Sequence, residues 1–132
     1  MDLGSRRHQA RERALELLYE AQMKSRSALE IVRDLPITPD DYTIILIEAA
    51  ESYRAQAEEL VSEFSHDWPL ERLAVIDRLI MVLAIGELLS ENPPPTAVIL
   101  NEAVDLATTF STEGSGSFVN GVLSSCARRL AQ

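Results

Sequence analysis

Residues 5–13, SRRHQARER, gather Arg6, Arg7, His8, Arg11 and Arg13, with Glu12 as the sole acid among them. Guanidinium groups offer a planar fork of donors that matches phosphate. A helix N-terminus adds free N–H groups and the positive end of the helix dipole. Cations placed there oppose that dipole by about 0.3–1 kcal/mol each when exposed. Together these features describe an anion site, with phosphate as its natural ligand. Arg7 and Arg11 stand one turn apart, a spacing that follows a nucleic-acid backbone, and His8 and Gln9 beside them suit bases or sugars. The competing reading is a solvated charge face, with pairs such as Arg13 to Glu16 or Glu20. The residues alone leave both open.

Other candidate chemistry fails on geometry. Ser65, His66 and Asp67 have the types of a nucleophile triad, but side chains of adjacent residues diverge and form no relay. His8, His66 and Cys126 show no metal-ligand spacing. GSGS at 114–117 follows no strand and precedes no lysine, so it is no phosphate loop. The carboxylates are scattered over helix faces. The expectation is a protein without catalysis, metal or cofactor. SFVNGVL at 117–123 is different: Phe118 lies at the edge of an apolar stripe, where a ring can stack on an unpaired base. Gly121, inside a helical pattern, costs about 1 kcal/mol relative to alanine, and packing against a neighbouring helix is the expected reason.

The charge is unevenly placed. The 132 residues carry a net charge of −9. Residues 14–132 hold eight Lys or Arg against nineteen Asp or Glu, so a basic start sits on an acidic body. Such a body repels nucleic acid and attracts basic proteins, while the basic end does the reverse. Hydrophobic residues make up 46%, enough to build a core. A single cysteine excludes an internal disulfide and fits a reducing cytoplasm. The most apolar run, LIMVLAIGELL at 79–89, is too short to span a bilayer and is interrupted by Glu87.

Helical periodicity organises the whole chain, and no segment alternates as a strand does. Residues 1–4 read as a mobile leader, and Ser5 as the N-cap of a helix to residue 25. The stripe of this helix is Ala10, Ala14, Leu17, Leu18 and Ala21, with Arg7 and Arg11 on its flank. A short helix is expected over 26–35. Thr38 then caps, and Pro39 opens, a long helix running to Phe64. SHDW at 65–68 reads as a junction, followed by a short helix over 69–74 and a buried central helix over 75–91. NPPP at 92–95 breaks that helix. Thr96 caps the next, to Phe110, and a loop at 111–117 leads to a last helix over 117–131. The result is an all-α protein of about seven helices in two halves, an N-terminal subdomain over 5–66 and a C-terminal one over 67–132.

SRRHQARERALELLYEAQ, LERLAVIDRLI with GELL, VILNEAVDLA and FVNGVL occur in the order found in the NusB family of transcription antitermination factors, and the resemblance spans essentially the whole chain. It implies two three-helix-bundle-like subdomains and a role without catalysis in the cytoplasm. Family members bind boxA-type single-stranded RNA of ribosomal RNA operon transcripts. They do so with a small-subunit ribosomal protein acting as NusE, and meet RNA polymerase and other Nus factors. They occur as monomers and homodimers. Carried onto this chain, the resemblance implies RNA contacts from Arg6, Arg7, His8, Gln9, Arg11 and Phe118, and partner contacts from Glu71 and Asp77. His8 and Gln9 stand where some members have arginine, which implies weaker RNA binding. Val82 stands where arginine is frequent, Gly86 where an aromatic residue is usual, and Gly114 where an acid is common. The alternative is a helical protein-docking module without significant RNA binding.

Overall fold

A computed structural model of the chain describes residues 2–65 and 73–132. Among them there are seven helices and no strand: α1 (Leu3–Lys24), α2 (Ala28–Asp34), α3 (Asp41–Ser52), α4 (Arg54–Phe64), α5 (Val75–Leu89), α6 (Thr96–Phe110) and α7 (Ser115–Leu130). Residues 69–72 of the expected short helix over 69–74, the junction at 65–68 beyond Ser65, and the boundary near residue 67 lie outside the described residues, while Leu73 and Ala74 are not helical and Ala74 is the cap position of α5.

Local chemistry sets the helix ends. Asp2, not Ser5, caps α1: its carboxylate accepts the Ser5 N–H at 2.8 Å, so Leu3 and Gly4 belong to the helix rather than to a leader. Asp40, not Thr38, caps α3 by accepting the Tyr42 N–H at 2.9 Å. A carboxylate is the stronger acceptor for orphan N–H groups, and the aspartate wins at both ends. The long helix expected to reach Phe64 is two helices, because Tyr53 leaves helical geometry at φ −105° and ψ 11°. Pro95 occupies the cap position before α6. Gly114, at φ +89°, caps α7 in a conformation that side chains disfavour.

Helix α5 lies at the centre. It packs against α1, α3, α4, α6 and α7, and residues 79–87 are buried without interruption. One apolar cluster runs from Ala10 on α1 to Cys126 on α7. Gly86 permits a close crossing of α5 on α3. A Cβ there would come within 3.0 Å of the Ala50 backbone nitrogen and 3.1 Å of the Ala49 carbonyl carbon. A larger side chain at position 86 has no room against α3 in this arrangement. Gly121 is the opposite case: a Cβ there meets nothing within 4 Å, so the expected packing against a neighbouring helix is absent.

Candidate nucleic-acid interface

The first two turns of α1 pass between α3 on one side and α6 on the other, with the C-terminal half of α5 beneath. At 100° per residue the basic residues divide among these neighbours. Arg6, Gln9 and Arg13 face the start of α3, where with Pro39, Asp40 and Thr43 they line an open groove of about 460 Å³. Arg6 donates to Asp40 at 2.8 Å. Arg13 stands 3.8 Å from Glu16, a pair the sequence had offered.

His8 turns the other way. Its Nδ1 lies 2.6 Å from Glu102 of α6, and its Nε2 lies 3.4 Å from Glu12. A carboxylate at each ring nitrogen suits an imidazolium. The hydrogen bond with Glu102, joined by the negative charges of Glu102, Glu12 and Asp105, holds the His8 pKa above its ordinary value against the opposing effect of burial.

Arg11 corrects the sequence expectation. It is not on the flank: only 3% of it is exposed. Leu15 is buried too, which widens the apolar stripe until Arg11 falls inside it. Its Nε and Nη2 fork onto Glu87 of α5 at 2.8 and 2.7 Å, and Glu102 stands 3.6 Å away. Burial of two charges demands this pairing. Arg11 therefore has no face to offer a phosphate.

Arg7 lies half-buried with its guanidinium over the Tyr42 ring, 4.9 Å from the centroid. The Arg11 guanidinium lies 5.9 Å from the same centroid. The Tyr42 hydroxyl donates to Glu87 at 2.6 Å, and burial together with that carboxylate pushes the phenol far above its ordinary range.

The second part of the site is at the other end of α5. Asp77, 7% exposed, is held within the fold. It accepts the Ser111 hydroxyl at 2.5 Å and the Ser115 hydroxyl at 3.0 Å. These bonds pin the connection between α6 and α7. Half-buried Phe118 packs on the core edge and lines a groove of about 370 Å³ with Leu73, Ala74, Asp77 and Glu113. Glu71 lies outside the described residues. Among the described residues no group of three or more His, Cys, Asp or Glu is placed to hold a metal ion. Burial pushes the Cys126 thiol up to about 11.

The family model described as "NusB family" matches residues 8–128. The chain belongs to the NusB family. A curated relative from Acidothermus cellulolyticus, named transcription antitermination protein NusB, is 41% identical over 121 residues, covering 89% of this chain and 83% of its own. One of the same name from an Arthrobacter species is 39% identical over 123 residues, covering 90% of each. A solved NusB from T. maritima superposes with a TM-score of 0.82 at 27% identity, covering 92% of this chain and 90% of that one. A structure of NusB and NusE in complex with dsRNA shares the fold at 23% identity, with a TM-score of 0.79 and coverage of 95% and 98%.

Against the family expectation, the structure leaves Arg6, Arg7, Gln9 and part of His8 at the surface and withdraws Arg11. Sequence reading passed over Glu87, Glu102 and Tyr42. Glu87 carried a signal, since a lone acid inside LIMVLAIGELL needs a cation. Tyr42 and Glu102 carried none, because their partners come from distant helices: α1 for Glu102, α1 and α5 for Tyr42.

Proposed function

We propose that this chain is a non-catalytic transcription antitermination factor of the cytoplasm. It grips boxA-type single-stranded RNA together with a small-subunit ribosomal protein acting as NusE, and joins RNA polymerase through other Nus factors. The relatives named antitermination proteins support the role, and the neighbour solved with NusE and dsRNA supports RNA and a NusE protein as the two classes of partner. The carrying observation is Arg7. Within residues 5–13 each other cation stands within 4 Å of a carboxylate, whereas Arg7 has no described carboxylate that close and lies over the Tyr42 ring instead. Its charge is left for an anion from outside. Arg6 and Gln9 extend the grip along the α3 groove, His8 extends it toward α6, and Phe118 offers a ring beyond. Asp77 serves the partner face indirectly, by shaping the groove of Leu73 and Phe118.

The same pairing of Arg6, His8, Arg11 and Arg13 with carboxylates favours the docking-module reading, so the test must separate the two. A labelled boxA-type RNA is followed by fluorescence anisotropy at several salt concentrations, with and without the ribosomal protein and against a scrambled RNA. The expected result is sequence-preferring binding that the partner strengthens and salt weakens. Arg7→Ala lowers the salt slope by about one unit. Binding of the ribosomal protein with no RNA binding in any condition would leave the docking module.

A further inference from the structure

The arginines of α1 divide the work, and the division turns on a residue of another helix. Tyr42 opens α3, held by its N–H bond to the Asp40 cap and by its hydroxyl bond to Glu87. Those two anchors fix the ring at both ends. Glu87 in turn is locked by the fork from Arg11. The ring face is thus set by buried groups before any ligand arrives. Arg7 lies on that face, with its Nε buried and without a hydrogen-bond partner. A long cationic side chain loses much rotamer freedom when it binds. Stacking on a fixed ring removes part of that loss in advance and costs no neutralising carboxylate.

Resting on the RNA reading above, we infer that Tyr42 is the positioning residue for Arg7: its ring, oriented by Glu87 and Arg11, holds the guanidinium stacked and unneutralised for an RNA phosphate. Arg11 belongs to the device as a buried anchor, and Arg7 is the contact. Tyr42 needs no contact with the RNA.

The test uses full-length variants. Tyr42→Phe keeps the ring and loses the bond to Glu87 that orients it, so it lowers the melting temperature and weakens binding of the labelled RNA about twofold, less than loss of the ring does. Tyr42→Leu removes the ring and weakens binding about fivefold. In an Arg7→Ala background Tyr42→Leu adds no further loss. Ring-current upfield shifts of the Arg7 Cδ protons, read by NMR without RNA, persist in Tyr42→Phe and vanish in Tyr42→Leu. Pentafluorophenylalanine at position 42 keeps the shape, reverses the ring's charge distribution and weakens binding as leucine does; it carries the test if Tyr42→Leu unfolds. Unchanged RNA affinity in Tyr42→Leu would overturn the inference. So would an equal loss in the Arg7→Ala background, or the absence of the upfield shift in wild type. A wild-type chain that binds no RNA at any salt overturns the RNA reading itself, which the NMR shift does not depend on.

Discussion

Helix α5 buries two carboxylates ten residues apart, about 15 Å along its axis, and satisfies them differently. Glu87 receives the fork from Arg11 and the Tyr42 hydroxyl, so its charge is cancelled by a cation within the fold. Asp77 receives two serine hydroxyls, and among the described residues no cation stands within 4 Å of it. The first arrangement ties α1 and α3 to the core by charge. The second ties the α6–α7 connection to it by neutral donors. The comparison teaches that an acid-rich protein can hold its basic segment by sinking one arginine into the core, leaving a neighbour free. At the other end it can shape a groove around Phe118 without using a cation.

Breaking the charge-paired end has the largest effect. Arg11→Ala leaves Glu87 buried and unpaired, at about 3–5 kcal/mol, and lowers the melting temperature by roughly 10–20 °C. Thermal unfolding followed by circular dichroism checks this. A melting temperature within a few degrees of wild type would return Arg11 to the surface. The double variant Arg11→Met with Glu87→Met recovers much of the loss, because apolar side chains of similar size replace a buried pair at little cost.

Removing charge while keeping shape sharpens the contrast. Glu87→Gln removes the forked counter-charge of Arg11 and leaves it only Glu102 at 3.6 Å, which destabilises by about 2–3 kcal/mol. Asp77→Asn leaves no cation stranded, its amide oxygen still accepts a serine hydroxyl, and the cost is about 1 kcal/mol. Urea unfolding of the two variants measures the difference, and equal losses would erase the distinction between the two carboxylates.

The smallest effect is on the rim of the charged end. His8 is 40% exposed at its side chain, so its ion pairs are screened. Its folded pKa is raised by Glu102 first, so the folded state holds the proton more tightly than the unfolded chain. The stability this adds is fully present below the ordinary histidine value near 6.5 and is lost as the pH rises through the raised value. Wild type therefore loses stability relative to His8→Gln over that window. An NMR titration of the His8 ring places the window, and a ring titrating at or below 6.5 would sever the link to Glu102.

The sequence by itself determined the all-α class, the central burial of the 79–89 run, the break at the prolines and the concentration of cations at the start. These follow from periodicity, composition and proline chemistry, all local along the chain. It placed the helix caps within a few residues and joined α3 to α4 across Tyr53, since a seam of apolar spacing does not reveal a single residue leaving helical φ and ψ. It also put Arg11 on the flank of the apolar stripe and did not reveal the serine donors that hold Asp77. Only the tertiary structure decided otherwise, because the counter-charges and donors arrive from distant segments: Glu87 lies 76 residues from Arg11 and Ser115 lies 38 from Asp77. Whether a charged side chain is a surface contact or a buried anchor depends on what another helix brings to it, and the pattern of its own helix does not contain that information.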